Sequence, residues 1–359
     1  MAKIAIVGGG IFGGSAAVSL ATAGHLVTVF EKNRRLLDGT TLASTNRLHL
    51  GFHYPRDRPT ALQSKLGSVD FLARFPGAVS QDFPNYYGLV RHNSKSSLSA
   101  FESFVQDLAL PCAKVELPEA LSLLGLSDDD LAGLWAASEG SISVEIVRKI
   151  LVRQLAAAGV KVRLGSSVGK IQKKNTLWRV SHTQGIDDFD VVVKATYGAD
   201  QIECDSSIVA TPRVFELTVN LEIVGPPARF GLTLIDGDFL TVLPKGFSNS
   251  LLVYAPGPSV IRRTEGLRPE NGFSVASASE LDRAEDLIVE RLSAWLPGLA
   301  SPQVLDRLVG VRTLLPGTRL TDARESSVRE LGRNFYEIFA GKIDHAVSVA
   351  GEITRQISA

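Results

Sequence analysis

Residues 3–7, KIAIV, form a short apolar run suited to a parallel strand buried on both faces. A glycine-rich turn, GGGIFGG, follows, and SAAVSLATAG then has helical composition and ends at Gly24, a natural helix-terminating glycine. LVTVFEK reads as a second strand ending in Glu31. Residues 60–110 read as mostly helical, with SLSAFESFVQDLAL the clearest amphipathic piece. SDDDLAGLWAA opens with N-cap chemistry and predicts a short helix, with Asp128–Asp130 as capping residues. The pattern over 143–159 predicts a helix ending at Gly159, followed by strands at VKVRLG and VGKIQ. LWRVSH, TQGIDD and FDVVVKAT then predict a hairpin whose second strand is a buried apolar run. From 214 to 262 the periodicity changes. VFELTVNLEIV, FGLTLIDG, FLTVLPKG, SLLVYAPG and SVIRR are short strands separated by Gly, Pro, Asn and Asp, the signature of an antiparallel sheet. A long amphipathic helix capped by Ser277 or Ser279 and stopped by Pro297 and Gly298 comes next, and the last stretch reads strand, turn, helix.

Strand–helix elements therefore open, interrupt and close the chain, with an antiparallel sheet inserted between them. The expected fold is α/β (α+β two-domain): a Rossmann-like dinucleotide domain from 1–75, 143–212 and 305–359, and a substrate or cap domain from 76–142 and 213–304. A length of 359 residues allows this. Lys plus Arg and Asp plus Glu are equal at 38 each, so long-range attraction to nucleic acid or an anionic membrane is not indicated. No apolar run approaches the ~20 residues of a membrane span, and the first one lacks the flanks of a signal peptide. The chain reads as soluble and cytoplasmic. Cys112 and Cys204 have neither CxxC nor zinc spacing and read as reduced, buried thiols.

Gly8, Gly10 and Gly13 satisfy G-x-G-x-x-G between the first strand and helix. Gly8 permits the tight turn, Gly10 lets the backbone approach a pyrophosphate, and Gly13 lets helix and strand pack closely. The helix N-terminus, Ile11 and Phe12 included, offers N–H groups and a positive dipole end to phosphates. Glu31 stands where an acid would hold ribose hydroxyls. The motif begins at residue 8 of a long chain, and no second one exists for a separate nicotinamide domain. Both facts favour FAD over NAD.

At this point the chain resembles the D-amino-acid-oxidase-like superfamily of FAD-dependent oxidoreductases over most of its length. The helix–strand unit from Glu139 leading to VVVKATYGAD is similar to the family's middle FAD segment, with Tyr197 interrupting its Ala-Thr-Gly-like turn. GVRTLLPG resembles the late Gly-x-Arg-Pro segment, with Thr313 replacing the proline. IFAGKIDHAVSVAGEI occupies the place of the segment that closes over the flavin, with Lys342 and His345 where a glycine/histidine-rich version is usual. NRLHLGFHY is similar to the Ile-His-x-Gly-x-x-Tyr segment of the 2-hydroxyglutarate and glycerol-3-phosphate oxidising branches, through His49, Gly51 and Tyr54. The resemblance implies one FAD without a covalent link. Its contacts would come from Gly8, Gly10, Ile11, Phe12, Gly13, Glu31, Lys32, Thr45, Asn46, Arg47, Leu48, Val168, Ala195, Thr196, Gly198, Gly341, Lys342, Ile343 and Asp344.

If RLHLGFHY is extended, Arg47, His49, Gly51 and His53 share a face, with Gly51 leaving room for a ring and Tyr54 turned away. No third ligand accompanies His49 and His53, so no metal site is expected. Oxidation of a C–H beside nitrogen or oxygen needs a group to take the proton, for which His49 and then His53 are the candidates, and often an arginine to grip a carboxylate. Arg312 leads by position and Arg47 is next; Tyr54 neighbours both histidines. Lys342, or a helix start near Asp344, would stabilise charge on the reduced ring. Tyr86, Tyr87, His92 and Tyr254 are candidates for the substrate side, while Trp135 and Trp295 read as packing residues at helix ends. The resemblance thus implies two-electron oxidation of a small 2-hydroxy acid, amino acid or amine by hydride transfer to flavin N5. The alternatives are a flavin monooxygenase, a redox-neutral flavoenzyme, or a non-catalytic flavin-binding partner subunit. The substrate, electron acceptor and oligomeric state are not legible.

Overall fold

The computed structural model describes residues 1–116, 130–197, 200–237, 239–318 and 320–358. Gly198, Ser127 and Asp128 lie outside them.

A six-stranded sheet organises the nucleotide-binding half, in the order 327–332, 335–339, 191–194, 3–7, 26–30, 161–163. All its pairings are parallel except the edge pair 327–332 with 335–339. Alternation along Lys3–Val7 divides the strand between two cores. Ile4 and Ile6 pack with the helices Ile11–Thr22, Val144–Ala157 and Ala346–Ser358. Ala5 and Val7 face Ile171, Trp178 and Val180 of a four-stranded sheet that covers the other side. Ser143 caps the middle helix by accepting from the Ile146 N–H at 3.4 Å.

The other half is a nine-stranded sheet whose long strand Arg213–Val224 pairs with 250–254, 260–266 and 304–314. It is antiparallel apart from the pair Asn85–Val90 with Gly231–Ile235. The helix Ala278–Trp295 lies on it, opened by a capping box between Ser277 and Glu280. This mixed α/β architecture of two domains is the one the alternation predicts.

Several local expectations are corrected. Within 60–110, Asn85–Val90 is a strand, because NYYGLV alternates Tyr87 and Leu89 into a core shared with Trp135. Leu131–Ala137 is likewise a strand of that sheet rather than a helix, so Trp135 does not sit at a helix end. The hairpin's second strand is Gly185–Phe189. Asp190 then exchanges hydrogen bonds with Lys3, which transfers Val191–Lys194 into the central sheet. The boundary placed at 305 falls inside the strand Val304–Leu314, which pairs along Arg213–Val224 and belongs to the cap sheet. Gly140–Ile142, assigned to the cap part, pairs with Arg47–Leu48 and Val79–Ser80. Cys112 and Cys204 are free but half-buried. Among the described residues no helix is long and apolar enough to cross a membrane, and no group of three His, Cys, Asp or Glu could hold a metal ion.

Candidate active site

The glycine turn is built for a close approach. A Cβ on Gly13 would stand 2.0 Å from the Gly8 carbonyl oxygen, so only glycine lets this helix start sit on the strand end. A Cβ on Gly10 would meet nothing nearer than 3.5 Å, so its backbone faces open space. Helical geometry leaves the N–H groups of Phe12 and Gly13 without intrahelical acceptors, while the Ile11 N–H donates to Thr41 Oγ1 at 3.3 Å. The Glu31 carboxylate accepts from the Gly9 N–H at 2.6 Å and the Asn33 N–H at 2.8 Å, which closes the loop between the first two strands. Ala195 lies against Gly8, Val168 is buried beyond Phe30, and Lys32 is exposed. Thr196 donates to Asp200. The N–H groups of Phe12 and Gly13 at the helix start, a glycine cradle and an acid at the second strand fit the pyrophosphate and ribose of FAD.

The stretch after Asn46 departs from the extended form expected of it. Only Arg47–Leu48 is a strand. Gly51 takes φ +107° and a Cβ there would lie 2.7 Å from the Ala61 carbonyl oxygen, so the position needs glycine on both counts, and the Tyr54 N–H closes a turn on the Gly51 oxygen at 3.1 Å. Gly51 therefore packs on the helix Arg58–Arg74 instead of leaving room for a ring. The turn brings Tyr54 to the histidines: ring centroids are 5.9 Å apart for His49–His53 and His49–Tyr54, and 5.3 Å for His53–Tyr54. Lys342 Nζ stands 5.1 Å above the Tyr54 ring.

This cluster is buried and cationic. Burial pulls His49 and His53 well below their ordinary value, and Lys342 and Arg47 push both further down, so both rings are neutral near pH 7. Arg324 and Arg312 add to that effect on His53. Burial also lowers Lys342 and raises Asp344; desolvation of both groups outweighs their mutual attraction. Lys342 precedes the short 3-10 turn Ile343–His345, which leads into the last helix. Arg47 Nη2, His49 Nδ1, His53 Nδ1 and the hydroxyls of Tyr54 and Tyr254 are buried without a hydrogen-bond partner among the described residues. Unpartnered polar atoms gathered behind the nucleotide cradle fit the polar edge of an isoalloxazine and a substrate beside it.

Several supporting residues gave no local signal. Arg47 Nη1 donates to Glu139 at 3.1 Å and to the Tyr87 hydroxyl at 3.0 Å. Glu139 also accepts from Tyr87 and from the Leu50 N–H, each at 2.6 Å. Burial raises Glu139 despite these donors. Arg47 and Tyr87 are candidates from the sequence, whereas Glu139 shows there only as a lone charge between LAGLWAA and GSI. Arg312 is held by Glu216, and its guanidinium lies 5.5 Å from the Tyr254 ring. Tyr197 belongs to the same group, and Thr313 donates to its carbonyl. Of the proposed substrate-side residues, Tyr254 and Tyr87 are here, Tyr86 packs in the cap core and His92 is exposed. Asn46 is anchored through Ser44, which donates to its side chain, and Leu48 is fully buried. Thr45, between Ser44 and Asn46, is partly buried. Gly341 donates its N–H to Ser326 Oγ at 2.7 Å.

Residues 3–339 match the family model described as FAD dependent oxidoreductase. The chain is 27% identical over 348 residues to the FAD-dependent monooxygenase FPY4 of Fusarium mangiferae, covering 95% of this chain and 87% of that one. It is 28% identical over 197 residues to the FAD-dependent monooxygenase kojA of Aspergillus flavus, 54% of this chain and 45% of that one. Among solved structures, L-alpha-glycerophosphate oxidase from Mycoplasma pneumoniae with FAD bound superposes with TM-score 0.78 at 16% identity, covering 100% and 95% of the two chains. Glycine oxidase from Geobacillus kaustophilus gives TM-score 0.75 at 16% identity, covering 99% and 95%. The likeness to these two shows the fold.

Proposed function

The chain belongs to the FAD-dependent oxidoreductase family, and from that premise we propose that it oxidises a small polar substrate at a C–OH or C–N carbon. The observation that carries this reading is His53: its Nδ1 has no partner, and its ring lies 5.9 Å from that of His49 and 5.3 Å from that of Tyr54, over which Lys342 stands. Bound FAD supplies the two-electron acceptor, a role that no side chain fills. The chain does the rest. The glycine cradle and helix start hold the dinucleotide, and Lys342 offers positive charge behind Tyr54. His53, whose Nδ1 is free, accepts the hydrogen bond and then the proton of the substrate's oxygen or nitrogen, with His49 its neighbour; the nearby cations oppose its protonation, so the proton must pass on from the ring.

The test is anaerobic: purified holoprotein is mixed with 2-hydroxy acids, amino acids and amines while flavin absorbance is followed. Bleaching by one class supports the reading, and His53→Gln should slow it by about 10²-fold or more, the usual contribution of a positioned base. The similarity to FPY4 favours a second reading, a monooxygenase. Under it, NADPH or NADH would bleach the flavin while every substrate in the panel left it oxidised, and the oxidase or dehydrogenase reading would fall.

A further inference from the structure

The helix Arg58–Arg74 shows two faces of opposite character. Its inner face is mostly small residues and lies on the turn Ile343–His345. A Cβ on Gly67 would stand 2.8 Å from the Asp344 carbonyl oxygen, and Ser64 Oγ is 2.8 Å from His345 Nε2. Its outer face carries Leu62, Leu66, Val69 and Leu72, which are 46%, 60%, 66% and 37% exposed, with Ala73 exposed beside them. Large apolar side chains thus point out where small ones point in. Together they leave on the order of 400 Å² of apolar surface in water, a size that on a monomer often marks a binding face.

Spacing and charge indicate what covers it. Leu62, Leu66, Val69 and Ala73 follow one another at intervals of four, three and four, the period of a seam between two helices wound side by side. Ser64, Gly67, Ser68 and Phe71, all buried, fall on the side away from that seam. Lys65 and Asp70 flank the seam on opposite edges. Lys65 Nζ donates to the Leu108 and Ala109 carbonyls at 2.7 and 3.2 Å, which leaves one of its three hydrogens for an outside acceptor, and Asp70 is exposed. In a parallel pair about a two-fold axis along the helices, Lys65 of each copy meets Asp70 of the other. In an antiparallel pair each edge meets its own kind, lysine against lysine and aspartate against aspartate. Charge therefore selects parallel self-pairing. The same residues disfavour a lipid surface: Asp70 would lose water without gaining a partner, and 38 basic against 38 acidic residues give no net attraction to anionic lipid. We propose that this face joins two copies of the chain in parallel, through Leu62, Leu66, Val69 and Ala73, with reciprocal Lys65–Asp70 pairs along its edges. Two such patches with their polar flanks bury about 1,200 Å² in total, the lower end for a specific interface, so the pair should dissociate on dilution.

The experiment is sedimentation velocity of the holoprotein over a dilution series. Wild type should pass from monomer to dimer as concentration rises. Leu66→Glu sets like charges against each other at the seam and should raise the dimer Kd by about tenfold or more. Ile186→Glu, a similarly exposed position (63%) across the central sheet, should leave it unchanged. Register is read by oxidative cross-linking in a background of Cys112→Ser and Cys204→Ser. Parallel pairing sets each seam residue beside its own copy, so Leu62→Cys and Val69→Cys should each form a disulfide-linked dimer. The cross-links decide the matter without Leu66→Glu if that variant fails to fold. A wild type that is monomeric throughout, a dimer that Leu66→Glu leaves intact, or cross-linking at only one of the two positions or at neither overturns the proposal. So does a monomeric wild type that floats with phosphatidylglycerol vesicles and loses flotation in Leu66→Glu, which would assign the face to a membrane.

Discussion

His345 offers a direct measure of how much the buried polar network beneath the site constrains the chain. It is fully buried, with Ser326 Oγ 3.0 Å from Nδ1 and Ser64 Oγ 2.8 Å from Nε2. Ser326 Oγ also accepts from the Gly341 N–H. One serine hydroxyl donates to the unprotonated nitrogen of the neutral ring, and a second proton on the ring would displace that donor. Burial, and then Lys342, pull the imidazole from 6.5 down to about 3. The unfolded chain therefore binds a proton below 6.5 that the folded chain refuses. This contribution to stability is complete above that value and is lost as pH falls toward the folded value. Between 6.5 and 5 the loss is about 2 kcal/mol for one such histidine. His49 and His53 shift in the same direction, while Asp344, raised by burial, acts in the opposite sense. A difference measurement isolates His345: urea unfolding of wild type and His345→Gln at pH 7.5, 6 and 5. The variant should be less stable at pH 7.5, and its stability should fall by about 2 kcal/mol less over the range. Parallel pH profiles would refute the assignment of a neutral, network-bound imidazole.

Glu139→Gln keeps the shape but removes the carboxylate that faces Arg47, so unfolding free energy should drop by about 3–5 kcal/mol, the cost of a buried charge without its partner; a loss under ~1 kcal/mol would count against the pairing. Gly13→Ala drives a methyl into the Gly8 carbonyl and should weaken FAD binding in a fluorescence titration by at least about tenfold, whereas Gly298→Ala, with nothing within 4 Å, should leave it unchanged.

The nucleotide-binding end is legible in the sequence because its signals are local. Gly8 to Gly13, the strand before them and Glu31 after them lie within thirty residues, and each acts on its neighbours. The pocket is legible only by halves. His49, His53 and Tyr54 stand out as a cluster, but their common face depends on the Gly51 turn, which is set by the Ala61 carbonyl of a helix that packs against it. Simple alternation could not foresee that turn. Arg324, Glu139 and Glu216 are distant in sequence and become neighbours of the site only when the two sheets meet. The strands Asn85–Val90 and Leu131–Ala137 were obscured for a related reason: their pattern records burial in a shared sheet, and a run of acids before the second one imitates a helix cap.

What separates the site from the rest of the polar interior is commitment of atoms rather than residue type. Ser166, His182 and Asp187 have the composition of a nucleophilic triad, at 3.0 and 3.1 Å. Yet Nδ1 of His182 also accepts from the Gln184 N–H at 3.2 Å, Asp187 is shared with Arg163 at 2.9 Å, and Ser166 is 1% exposed. Every group has its partner, no substrate could reach the hydroxyl, and the network serves to join strands beside Phe30. His49, Tyr54 and Arg47 are also buried and His53 is half-buried, yet all four retain atoms without partners among the described residues. A buried donor or acceptor without a partner costs about 1–3 kcal/mol, so a fold that concentrates several at one place is stabilised only when something binds there. On that argument FAD and a bound substrate complete the hydrogen bonding of this pocket, and the apoprotein should gain more stability from FAD than phosphate contacts at the glycine turn alone would supply.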